Sequence, residues 1–151
     1  MVRPSKRLTK LTILGLALAF VAIQFVPVQR TTGLGAGDPV ASREVGWILR
    51  RACYDCHSTE TRWPIWAYVA PVSWRVVADV NRARAALNFS DWAAYGDDRR
   101  VALRATVGAV TASHRMPLWY YVTLHPDARL SPGELALLKD WARQAPAERK
   151  P

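Results

Sequence analysis

Two cysteines occur in the 151 residues, and both lie in one pentapeptide, Cys53-Tyr54-Asp55-Cys56-His57. On one turn of helix, residues three apart share a side, so both thiols can add to the two vinyl groups of a single porphyrin as thioethers. The imidazole of His57 follows at once and is placed to bind the iron from the proximal side. This C-x-x-C-H order is the attachment pattern for c-type haem, so Cys53 and Cys56 are candidate haem thioethers and His57 the candidate proximal ligand.

Two other chemistries use cysteine pairs at this spacing. A redox dithiol expects a βαβ context, and no convincing strand alternation flanks the motif. A zinc site could be completed by His114 and His125, but ten residues separate them, more than a zinc site's usual three to five, and His57 would have no role.

A second iron ligand is sought downstream. Met116 is the only methionine besides the initiator. Its thioether is a recognised sixth ligand for c-type haem, and Pro117 stiffens the backbone presenting it. Met116 therefore ranks first as distal ligand, His125 second, and His114, at an expected helix end, third. Methionine and histidine together raise the potential and favour electron transfer, whereas an open sixth site admits gases or peroxide.

These groups need elements to hold them. Ser42 is placed to cap a helix carrying Val45, Trp47, Ile48, Leu49 and Ala52 up to Cys53. Residues 58–72 contain two prolines and three large aromatics with neither helical nor strand period, which predicts an irregular loop. A porphyrin needs flat apolar walls, and Trp63, Trp66 and Trp74 are candidate pocket residues, with Tyr68 beside them. A helix is expected from Ser73 to Leu87. Asp97 would cap another running to Ser113, with Val101, Ala105, Gly108 and Ala109 spaced for close packing. Ser131-Pro132-Gly133-Glu134 reads as a capping box opening a last helix with Leu135, Leu138 and Trp141 on its apolar stripe. That helix is expected to pack against the one ending at Cys53. No segment alternates as a strand, so the expected fold class is all-α.

Arg3, Lys6, Arg7 and Lys10 precede an uncharged run from Leu11 to Val28. As one helix it would rise about 27 Å, near the ~30 Å hydrocarbon core, and the basic flank sets the N-terminus inside. Ala17-Leu18-Ala19 has the form of a cleavage site, but cutting there leaves a very short apolar region, so a retained anchor is expected. The resulting division is a basic tail and signal anchor over 1–29, a Gly- and Thr-rich tether over 30–41, a haem-binding domain over 42–145, and a disordered tail over 146–151.

The formal net charge of +9 falls to +5 once the four basic residues before position 29 are set aside. That excess fits solubility, an acidic redox partner or an anionic lipid surface. No basic stripe with interleaved stacking aromatics is present, which argues against nucleic acid. Only four of the 21 basic residues are lysine. Arg62, Arg75 and Arg115 are candidate partners for haem propionates, since guanidinium groups bind carboxylates bidentately.

The order of helix, C-x-x-C-H, loop, helices, Met-Pro and capped C-terminal helix resembles class I cytochromes c. More closely, the chain resembles the bacterial haem-binding domain family, from Ala52 to Trp141. The resemblance runs through Cys53–Ser58, Trp63-Pro64, Ala70-Pro71-Val72-Ser73-Trp74, Leu87-Asn88-Phe89-Ser90, Met116-Pro117, Tyr121, and His125-Pro126-Asp127-Ala128. It implies a cytochrome c-like, membrane-anchored protein with one covalent haem c, in which Cys53, Cys56, His57 and Met116 carry their family roles. Leu118 departs from the pattern, where a second proline is expected.

The function expected on these grounds is one-electron transfer at the bacterial inner membrane. The chain would be held there through residues 11–28, with its N-terminus cytoplasmic, its haem domain periplasmic, and a membrane or periplasmic redox partner. A haem-based sensor or a monohaem redox enzyme with an open or displaceable sixth ligand is the alternative.

Overall fold

The computed structural model describes residues 5–33, 35 and 37–144. Arg3 and the expected tail over 146–151 lie outside them. The described residues contain seven α-helices and no strand, only an isolated parallel bridge between Gly37 and Asp91, so the all-α expectation holds. The chain divides into two compact units: one takes the chain up to Arg30 with Trp63–Asp79, the other Thr31–Arg62 with Val80 onward.

In the first unit, α1 spans Lys6–Ile23 and opens where the Ser5 hydroxyl accepts the Leu8 N–H at 3.3 Å. It stops well before Val28. Pro27 lacks an N–H and disfavours helical geometry at Val26, so the helix cannot continue through the apolar run. Only Leu11–Ile23 is both apolar and helical, a rise of about 20 Å. Among the described residues no helix is long and apolar enough to cross a membrane, which corrects the expectation of a spanning helix over 11–28.

The loop of this unit is fastened just beyond α1. The Gln24 amide donates to the Ala70 carbonyl at 3.2 Å and accepts the Ala70 N–H at 2.9 Å. Arg30 Nε donates to the Ala67 carbonyl at 2.7 Å, and its guanidinium lies 4.5 Å from the Tyr68 ring centroid.

In the second unit, the stretch from Thr31 to Val40, read as a tether, is bonded to the unit at several points. Gly33 N–H reaches the Thr59 carbonyl at 3.0 Å, Tyr54 Oη donates to Asp38 at 2.8 Å, and Trp141 Nε1 donates to the Val40 carbonyl at 3.0 Å. α2 (Arg43–Ala52) begins at Ser42, whose side chain accepts the Val45 N–H, and buries Val45, Ile48, Leu49 and Ala52. The single-turn α3 (Tyr54–His57) follows.

α4 (Val72–Ala86) and α5 (Asp97–Ala112) are joined by a segment with a 3-10 turn at Trp92–Ala94. Gly96, not Asp97, occupies the cap position of α5. The buried face of α5 is Leu103, Arg104, Val107, Gly108 and Thr111, while Val101 and Ala105 are exposed, so the packing stripe is rotated from the expected one.

A short helix, α6 (Trp119–Leu124), fills the segment after Met116-Pro117. α7 (Pro132–Arg143) has the full capping box, with both Ser131 and Glu134 engaged, and buries Leu138 and Trp141. It packs chiefly on α5 and secondarily on α2. A Cβ at Gly108 would meet that of Ala142 at 2.7 Å, so glycine lets the α5 and α7 backbones approach. The core is joined by aromatic contacts from Tyr54 to Phe89 (5.1 Å), Phe89 to Trp92 (6.1 Å) and Trp92 to Trp141 (6.2 Å).

Candidate functional site

The pentapeptide occupies the end of α2 and the turn of α3. Cys56 and His57 donate their N–H groups to the Cys53 carbonyl at 3.2 and 2.9 Å, which closes the turn. His57 is then fixed at both ends. Its Nδ1 lies 3.1 Å from the Leu87 carbonyl, and its own carbonyl accepts the Phe89 N–H at 2.7 Å. With Nδ1 protonated and bonded to that carbonyl, the Nε2 lone pair is the one left for a metal. Burial lowers the His57 pKa, against the opposing bond to Leu87, and so favours the neutral imidazole that ligation requires.

The residue after the motif is held as firmly. Ser58 Oγ donates to the Tyr54 carbonyl at 2.7 Å, and Arg84 Nε donates to the Ser58 carbonyl at 2.7 Å. Arg84 also donates to the Thr31 carbonyl and to the Thr31 and Thr61 hydroxyls, so one guanidinium ties the 58–61 stretch to Thr31.

Met116 arrives by a different device. At the end of α5, His114 adopts a left-handed conformation (φ 54°) and donates its N–H to Thr111, while Arg115 donates to the Val110 carbonyl at 2.9 Å. This is a Schellman closure with histidine where glycine is usual. The Met116 N–H then bonds the same Val110 carbonyl at 3.1 Å, so the chain reverses over the helix end.

Cys53, His57 and Met116 come together on the lining of one cavity of about 190 Å³. Leu87, Phe89, Leu103, Val107, Val110 and Pro117 complete most of its wall, which is apolar apart from Thr106 and Thr111. Cys56 is half-buried on the same turn as Cys53 but is not among the lining residues. Nor are Trp63, Trp66 and Trp74, which belong to the first unit.

His125 is not in the lining either. It stacks on Tyr121 with centroids 4.2 Å apart and rings inclined by 14°. His114 is exposed. Among the described residues no three or more His, Cys, Asp or Glu groups assemble to hold a metal ion, so the zinc arrangement with His114 and His125 is not formed. Burial, then the neighbouring Cys56, pushes the Cys53 thiol up to about 12.

Of the arginines considered for propionates, Arg62 pairs with Asp55 at 3.2 Å and Arg75 with Asp79 at 2.9 Å; Arg115 is exposed. Asp55 has a second partner, the Tyr121 hydroxyl, at 2.9 Å. Burial, then Asp55, raises the Tyr121 pKa and keeps the phenol a donor. Sequence reasoning gave no role to Asp55, Arg84 or the Leu87 carbonyl, and named Tyr121 only as part of the resemblance. Asp55 sits inside the motif, a signal that was available; the Leu87 carbonyl is a backbone group without one.

A family model described as a haem-binding domain matches residues 18–144. No curated protein and no solved structure matches the chain.

Proposed function

The chain belongs to the haem-binding domain family, and on that premise we propose that it carries one covalent haem c and passes single electrons. The observation that carries this reading is the convergence of Cys53, His57 and Met116 on one apolar cavity, with the His57 ring oriented by the Leu87 carbonyl. The fit is chemical. Cys53 and Cys56 form the thioethers, His57 offers Nε2, Met116 offers its thioether from the α5 end, and the apolar wall lowers the local dielectric and excludes water. When bound, the haem iron supplies one-electron chemistry between its ferrous and ferric states.

The localisation follows the same chemistry. The sequence from Lys6 to Val28, basic then apolar, has the polarity of an export signal that puts the remainder outside the cytoplasm. The haem domain accordingly works at the periplasmic side of a bacterial inner membrane, retained there by its apolar N-terminal segment and serving a membrane or periplasmic redox partner.

Haem staining after denaturing electrophoresis tests covalent attachment: the wild type stains and Cys53→Ser/Cys56→Ser does not. Visible spectroscopy tests the axial pair. The haem-loaded ferric protein is expected to be low-spin with a Met-to-iron charge-transfer band that Met116→Ala abolishes. A high-spin wild type that binds carbon monoxide rapidly once reduced would replace electron transfer with the sensor or enzyme reading.

A further inference from the structure

We propose that the loop from Ile65 to Val72 is a lipid-contacting surface, inserted at the interface of a bilayer containing anionic phospholipid. The inference rests on the reading that the N-terminal segment is retained in lipid, and extends it to residues forty positions away in the chain.

The apolar side chains of α1 are exposed on all sides. Leu11, Leu14 and Leu18 lie on one face and Ile13, Leu16 and Phe20 on the opposite one, all uncovered. A second protein helix would cover one face only; a helix apolar all round needs a surrounding apolar medium. The loop is tied to the end of this helix by the reciprocal Gln24–Ala70 bonds and by Arg30, all within the first unit. It too presents apolar groups outward: Ile65 is 79% exposed and Tyr68 57%, with Trp66, Val69 and Val72 also exposed.

Trp and Tyr are the side chains that settle at headgroup depth, apolar ring inward and polar edge toward water. Charge agrees, because among the described residues of this unit every charged one apart from Asp79 is basic: Lys6, Arg7, Lys10, Arg30 and Arg75. Basic residues beside an apolar surface favour anionic headgroups.

The test reconstitutes the full haem-loaded chain into phosphatidylethanolamine/phosphatidylglycerol vesicles doped with a phospholipid carrying an acyl-chain diazirine. After photolysis, adducts are mapped by mass spectrometry. Adducts are expected on α1 and on the 65–72 peptide, the latter falling at least fivefold in Ile65→Asp/Tyr68→Asp while those on α1 persist. Adducts on α1 alone would overturn the loop proposal and leave lipid retention standing. No adducts on either would overturn both. Mutual crosslinks between copies through Ile65–Val72, without lipid adducts there, would assign the surface to a second copy of the chain and overturn the proposal.

Discussion

Asp55 links two segments that each contribute a residue to the cavity lining. It sits between the cysteines, and its carboxylate accepts from Tyr121 Oη at 2.9 Å and from Nε and Nη2 of Arg62, each at 3.2 Å. Tyr121 lies in α6, the helix that follows Met116-Pro117, so the bond ties the segment presenting the methionine to the segment presenting the histidine. Tyr121→Phe leaves Asp55 paired with Arg62, and the expected loss of stability is only about 1 kcal/mol. The specific expectation concerns Met116. In a urea titration of the haem-loaded variant, the Met-to-iron band should bleach at lower urea than in wild type and before the far-UV transition. An unchanged bleaching midpoint would show that the bond does not restrain Met116. Cys53, Cys56 and His57 stand out as candidates in sequence because the chemistry proposed for them depends on adjacency. The Asp55–Tyr121 bond does not, since sixty-six positions separate its partners.

The helices were legible to the extent that their signals are local. Ser42 and the Ser131/Glu134 box announce α2 and α7 because capping is decided within one turn. The face of α5 was misjudged because contact with α7 selects it, and that contact depends on Gly108 meeting Ala142. Gly108→Ala gains about 1 kcal/mol of helix propensity but forces two backbones apart, a cost of roughly 1–3 kcal/mol. A lower melting temperature is expected, recovered in part by Ala142→Gly in the same chain; a single variant that melts higher would deny the close approach. The α7 cap carries a pH signature. Burial works to raise the Glu134 pKa, but bonds from Ser131 and Arg51 outweigh it, and the group lies below its usual 4.5. Its contribution is therefore complete above pH 4.5 and lost as pH falls through the lowered value. Glu134→Gln should cost about 1 kcal/mol at pH 7, and melting curves of variant and wild type should converge once the pH has fallen through that lowered value.

Across the whole molecule, the sequence located the haem motif but not the grouping of segments around it. Trp63, Trp66 and Trp74 were the expected pocket residues; they cluster with the N-terminal segment, and the cavity described above is walled by α5 and by Leu87 and Phe89. Hydrophobic type alone cannot separate these uses, because Trp66 and Leu103 look equally suited to a core until their surroundings are known. The second unit's core of Ile48, Leu49, Phe89, Leu138 and Trp141 continues into the cavity lining through Phe89, so a haem bound as proposed would also complete the core. At about 24 cal/mol per Å³ of unfilled apolar space, 190 Å³ corresponds to some 4–5 kcal/mol. The haem-loaded protein should therefore melt roughly 15 °C or more above Cys53→Ser/Cys56→Ser prepared without haem. Adding free haem to that variant should restore part of the difference, because filling the space and forming thioethers are separate contributions. Equal melting temperatures with and without haem would mean that the cavity collapses without cost, and would remove the haem from the structural core of this domain.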